Sequence, residues 1–320
     1  MERRHFLKSA AVAAGLATLP GLASASVMTP AKGEKIPKGP VTLYMEFHIG
    51  MPLKEKMIRG VEKYSEELSK KKGFLSLSLK NMIGDSTMVK NYPSNLKGVL
   101  HTAYFDAAKE GSMPLFYALF VRFKSYEDMQ KSGVNAWFSK QIKTHAPASM
   151  KYFEGVFVTV AAGDREHIYK ERKEIERFLS HQVDHRSEDY LTVNNHVTIE
   201  SKNTEIFNKK STTLLTVAQN TFRPAKGDAD FNPKFPKGMP GSYQTTHYRK
   251  AVTTEILQSA FSDGKYRRYL FHGTWESLYD HENSHMDPRF RKGVSGLFPY
   301  LTDLPVEPFY ETIVLKNKKA

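Results

Sequence analysis

The stretch VTLYMEFHI, residues 41–49, places apolar side chains at every second position. This period of two is typical of a β-strand with one buried face. Immediately after it, apolar residues recur at helical spacing through residues 51–72, and Gly73 stands where a helix commonly ends. The two patterns predict a strand followed by an amphipathic helix at the start of the folded part of the chain.

The remainder of the first half completes one supersecondary unit. Its patterns predict two more strands, a short polar helix that starts at Ser125, and a last strand, the three strands lying at residues 74–79, 115–123 and 156–160. The predicted order is therefore β-α-β-β-α-β, which is the ferredoxin-like split unit.

The second half repeats this order at an offset of about 150 residues. It predicts a helix at residues 203–222, a polar helix from Trp275, and four strands, at residues 190–199, 242–252, 266–274 and 309–315. A separation of this length indicates two copies of one domain, because solenoid repeats are only 20–50 residues long.

Two ferredoxin-like sheets can bury their open apolar faces against each other. The predicted fold class is therefore α+β, with tandem ferredoxin-like β-α-β-β-α-β repeats forming a dimeric-α-β-barrel-type domain. A linker is predicted at residues 26–39, and a first repeat without a metal site follows at residues 40–163. A connecting helix at residues 164–187 leads to a second repeat with the metal site at residues 188–320. Two insertions, at residues 81–98 and 227–241, are long enough to indicate a function of their own.

The first 25 residues have the features of an export signal. Arg3 and Arg4 form a twin-arginine core, a short apolar stretch follows, and the small-residue motif at residues 23–25 predicts cleavage after Ala25. We therefore predict a periplasmic or secreted protein whose partner during export is the twin-arginine translocase.

The composition excludes several classes of function. The chain contains no cysteine, which rules out disulfides, thiolate metal ligands and cysteine nucleophiles. The formal net charge is +13, but the lysines are dispersed along the chain, so we predict a solvated basic surface and no nucleic-acid partner. Exposed sheet edges of such repeats would favour a homo-oligomer.

One constellation in the second half predicts chemistry. His281 and His285 are four residues apart, so on a helix both imidazoles face one side. Glu307 lies in the stretch PVEP, where two prolines stiffen the backbone around the carboxylate. Two histidines and one carboxylate with open positions form the facial triad of non-haem iron(II) enzymes. We predict that His281, His285 and Glu307 bind a metal, most simply iron.

The same residues resemble a known family. Trp275, the stretch DHENSH at 280–285 and the stretch PVEPFYE at 305–311 resemble the iron site of the sulfur oxygenase/reductase family. The resemblance implies a dimeric α-β barrel with mononuclear iron bound by His281, His285 and Glu307. In that family the triad lies in the first repeat, and the sulfur reaction needs a cysteine that this chain lacks. The resemblance therefore implies iron-dependent redox chemistry on a small-molecule substrate other than the family's sulfur reaction.

Two alternatives remain open. His281-Glu282-x-x-His285 is also the zinc metalloprotease motif, in which Glu282 would be the general base; in an iron enzyme Glu282 could instead transfer protons. A haem-binding or non-catalytic barrel is the second alternative, with an axial ligand drawn from the histidines on or near predicted strands: His48, His196, His247 and His272.

Overall fold

The computed structural model describes residues 28–85, 115–142, 154–165, 167–186, 190–221, 251–276, 281, 284, 288–302, 305 and 307–319. The strands in these ranges are β1 (Val41–Ile49), β2 (Phe74–Asp85), β3 (Leu115–Phe123), β4 (Gly155–Asp164), β5 (Ile168–Tyr169), β6 (Leu191–Glu200), β7 (Thr253–Ser259), β8 (Tyr266–Trp275) and β9 (Pro308–Asn317). The α-helices are α1 (Lys54–Leu68), α2 (Tyr126–Ser132), α3 (Val134–Gln141), α4 (Arg172–His181), α5 (Thr204–Thr221) and α6 (Pro288–Ser295).

Eight strands form a closed antiparallel ring. Their order is β1-β3-β2-β9-β6-β8-β7-β4, and β4 pairs back to β1, while the short β5 pairs with β4. The first repeat contributes the order β4-β1-β3-β2 and the second contributes β9-β6-β8-β7. In both repeats the fourth strand in chain order lies at one edge, followed by the first, the third and the second. The predicted α+β fold with tandem ferredoxin-like repeats is confirmed.

The two repeats join through their sheet edges. β2 of the first repeat pairs with β9 of the second, and β4 of the first pairs with β7 of the second. Pairing these edges within one chain satisfies backbone groups that would otherwise be exposed to other chains. The edges on which the prediction of a homo-oligomer rested are therefore used inside the molecule, and the oligomeric state remains a prediction.

Helices cover the outer face of each half of the ring. The buried side chains of α1 are Met57, Val61, Ser65 and Leu68, which recur at helical spacing and pack onto the first sheet. In the second repeat, Phe207, Leu214 and Leu215 of α5 pack in the same way. Each fully buried side chain of this size contributes about 1.5–3 kcal/mol. No helix in the described ranges is both long and apolar enough to cross a membrane.

The opposite face of the strands fills the barrel interior. One buried cluster contains side chains from seven strands around the ring, and only side chains that face the interior can meet in this way. Its members are Tyr44, Met82, Phe116, Ala118, Phe120, Phe157, Leu257, Leu270 and Tyr310. On β1, Tyr44 belongs to this cluster, whereas its neighbours Leu43 and Met45 belong to the outer core. The strand at 41–49 is therefore buried on both faces, although the alternation predicted one.

Several element bounds differ from the predictions. The connector, predicted as a helix over residues 164–187, first forms β5 and becomes helical only at Arg172, where Glu171 and Glu174 form a capping box. β2 extends to Asp85 because β9 pairs along its whole length. The insertion predicted to begin at residue 81 therefore starts as strand, and its residues 86–98, like residues 227–241, lie outside the described ranges.

The second strand of the second repeat was misplaced. Residues 242–250 of its predicted range lie outside the described residues, and the strand that pairs between β4 and β8 is Thr253–Ser259. The polar helix predicted from Trp275 also starts later, because Trp275 is the last residue of β8. Pro288 is the first residue of α6, a position where proline is well tolerated.

Candidate functional site

Two of the three predicted metal ligands meet in the structure. Nε2 of His281 lies 2.7 Å from Oε1 of Glu307, and the side chains are only 5% and 10% exposed. His281 is helical, and its carbonyl accepts a hydrogen bond from Ser284 Oγ. Glu307 directly precedes β9, which starts at Pro308. The structure therefore brings together two residues that are 26 positions apart in the sequence.

Aromatic side chains enclose this pair. The imidazole of His281 lies edge-to-face against the ring of Trp275 at 5.2 Å and against the ring of Phe309 at 5.3 Å. Trp275 and Phe309 belong to a small buried cluster that includes Leu191, Val193 and Ala218. Rings on two sides fix the plane of the imidazole and exclude water from it. Trp275 thus packs directly on the candidate ligand, and Tyr310 points to the other face of the sheet.

The spacing of the donor atoms fits a shared metal ion. Two donors bound at about 2.1 Å in adjacent positions on one metal lie about 3 Å apart, close to the spacing of His281 Nε2 and Glu307 Oε1. A neutral imidazole nitrogen and a carboxylate oxygen are ligands that iron, zinc and manganese accept. His281 and Glu307 therefore fit the predicted metal ion. The distance between their donor atoms is also that of a hydrogen bond.

The remaining predicted site residues lie outside the described residues. These are His285 and Glu282, and likewise the signal residues Arg3, Arg4 and Ala25. Among the residues that are described, no group of three His, Asp or Glu side chains is arranged so that it could hold a metal ion. The full triad of His281, His285 and Glu307 remains a prediction.

The barrel interior contains a buried ionic cluster that the sequence analysis missed. Asp184, on the connector after α4, accepts hydrogen bonds from Arg122 at 2.6 Å and from Ser78 at 2.9 Å, and lies 2.7 Å from Lys80 Nζ. Arg122 also contacts Glu255 at 3.2 Å. The side chains of Lys80, Arg122 and Glu255 are fully buried. The connector therefore does more than link the repeats, because its carboxylate neutralises cations inside the barrel.

The cluster sets the charge states of its members. Burial opposes ionisation of Asp184, but the charges of Arg122 and Lys80 hold the pKa of its carboxyl well below the usual range. His272, whose Nε2 lies 3.4 Å from Asp184, has its pKa lowered by burial. Two cations thus face two carboxylates, and His272 is the group that burial keeps neutral.

A second polar cluster in the interior is built around Tyr44. Its hydroxyl donates to Oε1 of Glu46 at 2.5 Å, and His196 Nε2 lies 2.6 Å from the same oxygen. Burial, and then the charge of Glu46, raise the pKa of Tyr44 well above its usual value; the same two causes raise the pKa of Tyr310. Both phenols therefore keep their protons at physiological pH.

The histidines considered as haem ligands occupy these interior clusters. His196 is paired with Glu46, and His272 lies near Asp184 and Glu255. An axial haem ligand at either position would have to leave its carboxylate partner within a packed interior. The side chain of His48 and the whole of His247 lie outside the described residues.

One sequence signal could have revealed the interior clusters. Lys80, Arg122 and Glu255 are charged residues within largely apolar or neutral strands, and charges at such positions are buried only when they are paired. The identity of the partners could not be read from the sequence, because Asp184 comes from the connector.

Two protein families match parts of the chain. Residues 40–128 match the ABM-like domain, and residues 160–313 match the CT0912-like C-terminal domain. A comparison with curated protein sequences found no match.

Solved structures are similar over most of the chain. A proposed monooxygenase from Fusobacterium nucleatum is similar with a TM-score of 0.53 at 9% identity, over 88% of this chain and 96% of that one. A proposed monooxygenase from Lactobacillus acidophilus has a TM-score of 0.49 at 8% identity, over 88% and 98% of the two chains. Identities this low show the fold alone. The closed ring of two ferredoxin-like repeats and the match to the ABM-like domain indicate a dimeric α-β barrel fold, with both halves of the barrel supplied by one polypeptide.

Proposed function

We propose that the protein is an exported oxidoreductase of the oxygenase type, which uses one non-haem iron held by His281, His285 and Glu307 to act on a small molecule. The observation that carries the proposal is the buried approach of His281 to Glu307 at 2.7 Å. The similar structure from Fusobacterium nucleatum, itself described as a proposed monooxygenase, supports the oxygenase class.

The described residues would prepare this site in three ways. Trp275 and Phe309 hold the imidazole of His281 edge-to-face, so its Nε2 stays aimed at Glu307. Pro308 restricts the backbone next to Glu307 and begins the strand that anchors it. The enclosure keeps bulk water from the donor atoms. When bound, iron supplies one-electron redox chemistry and open coordination positions for O2 or a substrate.

Metal analysis of the mature chain tests the proposal. Protein purified without oxygen should contain about one iron per chain, and His281→Ala, His285→Ala and Glu307→Gln should each lower the metal content at least about tenfold. His167→Ala is the matched control, because His167 is half-exposed and lies on the connector beside Glu174. Wild-type protein without iron, or unchanged iron in His281→Ala, would overturn the site. Zinc in place of iron, together with casein cleavage that Glu282→Ala abolishes, would favour the metalloprotease.

The export part of the proposal has a separate test. Replacing Arg3 and Arg4 by lysine should leave the precursor in the cytoplasm, while the unchanged protein reaches the periplasm and loses residues 1–25. Replacing Lys8 by arginine keeps the charge outside the arginine pair and serves as the control. Equal export of the double lysine variant would contradict the twin-arginine route.

A further inference from the structure

The cluster around Tyr44 lies inside the barrel, away from the predicted metal ligands, and the proposed function does not use it. Tyr44 is fully buried, Glu46 is 2% exposed and His196 is 8% exposed. Both the phenol and the imidazole contact one oxygen of Glu46, at 2.5 Å and 2.6 Å. Phe120 and Phe157 pack edge-on against the Tyr44 ring, at centroid distances of 4.8 Å and 6.0 Å.

This arrangement places a proton acceptor at the one atom of tyrosine that releases a proton on oxidation. A phenol that loses an electron becomes a strong acid, and in a buried site its proton needs an acceptor within hydrogen-bond reach. Glu46 Oε1 is such an acceptor, and His196 Nε2, which lies 2.6 Å from the same oxygen and 3.3 Å from the phenol, holds the carboxylate in place. The apolar rings around Tyr44 keep away water and solutes that would quench a radical.

One strand connects this cluster to the proposed metal site. Glu307 directly precedes β9, and Phe309 packs its ring on His281. The next residue, Tyr310, turns to the opposite face and joins Tyr44 in the interior cluster, where the two phenols lie close enough to influence each other's charge. Four consecutive residues, 307–310, thus run from the candidate ligand to the tyrosine pair.

We propose that Tyr44 is a redox-active tyrosine that serves the metal site through Tyr310 and β9. With an oxidised metal ion at the proposed site, Tyr44 would supply one electron to it, and the phenolic proton would move to Glu46 Oε1. The products are a neutral tyrosyl radical and a protonated carboxyl. Return of one electron and the same proton restores the resting state. The link to the metal rests on the proposed function, whereas the redox character of Tyr44 can be measured without it.

The first experiment uses the metal-free full chain. Flash photo-oxidation with a ruthenium tris-bipyridine sensitiser and persulfate, followed by rapid freezing and electron paramagnetic resonance, should detect a long-lived tyrosyl radical. Tyr44→Phe should abolish this signal, and Glu46→Gln should shorten its lifetime by about tenfold or more, since each 1.4 kcal/mol lost from the barrier is a factor of ten in rate. Tyr126→Phe is the matched control, because Tyr126 is also buried but donates to the carbonyl of Met28 rather than to a carboxylate.

A long-lived radical that persists in Tyr44→Phe, or that decays equally fast in wild type and Glu46→Gln, would overturn the proposal. The second experiment exposes iron-loaded protein to O2 and looks for the same radical, which His281→Ala should remove while leaving the photochemical radical unchanged. A photochemical radical without an iron-dependent one, in protein that metal analysis shows to contain iron, would overturn the link to the metal, whereas absence of iron would overturn the proposed function and leave the redox assignment of Tyr44 standing.

Discussion

The two repeats have the same strand order but different side chains at one matched position. Met129 follows the end of β3 in the first repeat at the same distance as His281 follows the end of β8 in the second. Each repeat also has a buried glutamate immediately before its last strand: Glu154 is 4% exposed and Glu307 is 8% exposed. Both halves thus have a buried carboxylate at this position, but the two histidines of the proposed metal site occur only in the second half, where Met129 and Gly133 stand at the matching positions of the first.

The surroundings of the matched position differ accordingly. Met129 is 2% exposed and belongs to the apolar core formed by β1, β2, β3 and the first-repeat helices. His281 instead meets a carboxylate and two aromatic rings. A thioether fills space in a core, whereas an imidazole needs a polar partner when it is buried. The difference teaches that repeat symmetry fixes where a site can form but not what it binds.

The largest expected effect is the loss of stability when one carboxylate is removed from the buried ionic cluster of the barrel interior. Asp184→Asn leaves Lys80 and Arg122 buried with one fewer carboxylate, so the free energy of unfolding should fall by about 3–5 kcal/mol. Urea denaturation measures this loss. Glu127→Gln removes an exposed ion pair with Lys131 and should leave the urea midpoint unchanged. A loss below about 1 kcal/mol for Asp184→Asn would show that the cluster does not need this carboxylate.

The matched glutamates provide the next test of the comparison. Glu307→Gln should lower the iron content at least about tenfold, because it replaces a charged ligand, whereas Glu154→Gln should leave it unchanged. Metal content and thermal midpoint should be measured on both variants. Equal metal loss in both variants would mean that the two repeats do not differ in metal binding.

Acid should lower the free energy of unfolding, because His272 takes up a proton more readily in the unfolded chain than in the barrel interior. Burial lowers the folded-state pKa of this histidine, while the unfolded chain takes up a proton near pH 6.5. Below that pH the unfolded state binds more protons, so stability should fall by up to about 1.4 kcal/mol per pH unit, and the loss should continue until the folded-state pKa is passed. Stability above pH 6.5 should not depend on this group.

Urea titrations between pH 5 and 8 check the histidine. His272→Gln should flatten the pH dependence, even if the variant is less stable throughout, and His167→Gln should not, because His167 is half-exposed. An unchanged slope in His272→Gln would assign the acid sensitivity to another group.

The smallest expected effect is a gain of weak metal binding in the first repeat. Met129→His places an imidazole at the position that matches His281, in the half that already has a buried glutamate before its last strand. We expect a weak second site, filled at millimolar but not at micromolar zinc, because two ligands hold a metal poorly. Zinc titration by calorimetry measures it, with Met57→His as a control for burying an imidazole elsewhere. Failure to bind zinc at any concentration would show that the glutamates are not equivalent.

Much of the fold could be predicted from periodicity. β1 and β3 have the predicted bounds, and α1, α5, β8 and β9 begin and end within a few residues of theirs. The errors occurred where tertiary contacts override local pattern. β7 reads TTEILQS, in which Glu255 breaks the apolar alternation, yet it forms a central strand because Arg122 from the first repeat pairs with that glutamate.

The candidate site could be predicted only in part. His281 and Glu307 were identified from helical spacing and from a proline-flanked carboxylate, and the structure places their polar atoms 2.7 Å apart. Tyr44 and Glu46 occupy the positions of β1 that alternate with its apolar side chains, and these positions point away from the outer core. Their hydrogen bond to each other and the approach of His196 depend on closure of the ring, which brings β1 and β6 to face each other across its interior.

The sequence by itself determined the two repeats, the order of strands and helices along the chain, and the residue types available for chemistry. These follow from the spacing of apolar residues and from the amino acids present. Only the tertiary structure decided that β2 pairs with β9 and β4 with β7, and that Asp184 enters the interior to meet Lys80 and Arg122. The physical reason is that strand-edge pairing and charge neutralisation act between residues distant in the chain. Local pattern constrains the neighbours of a residue in sequence, whereas the burial of a charge depends on the whole fold.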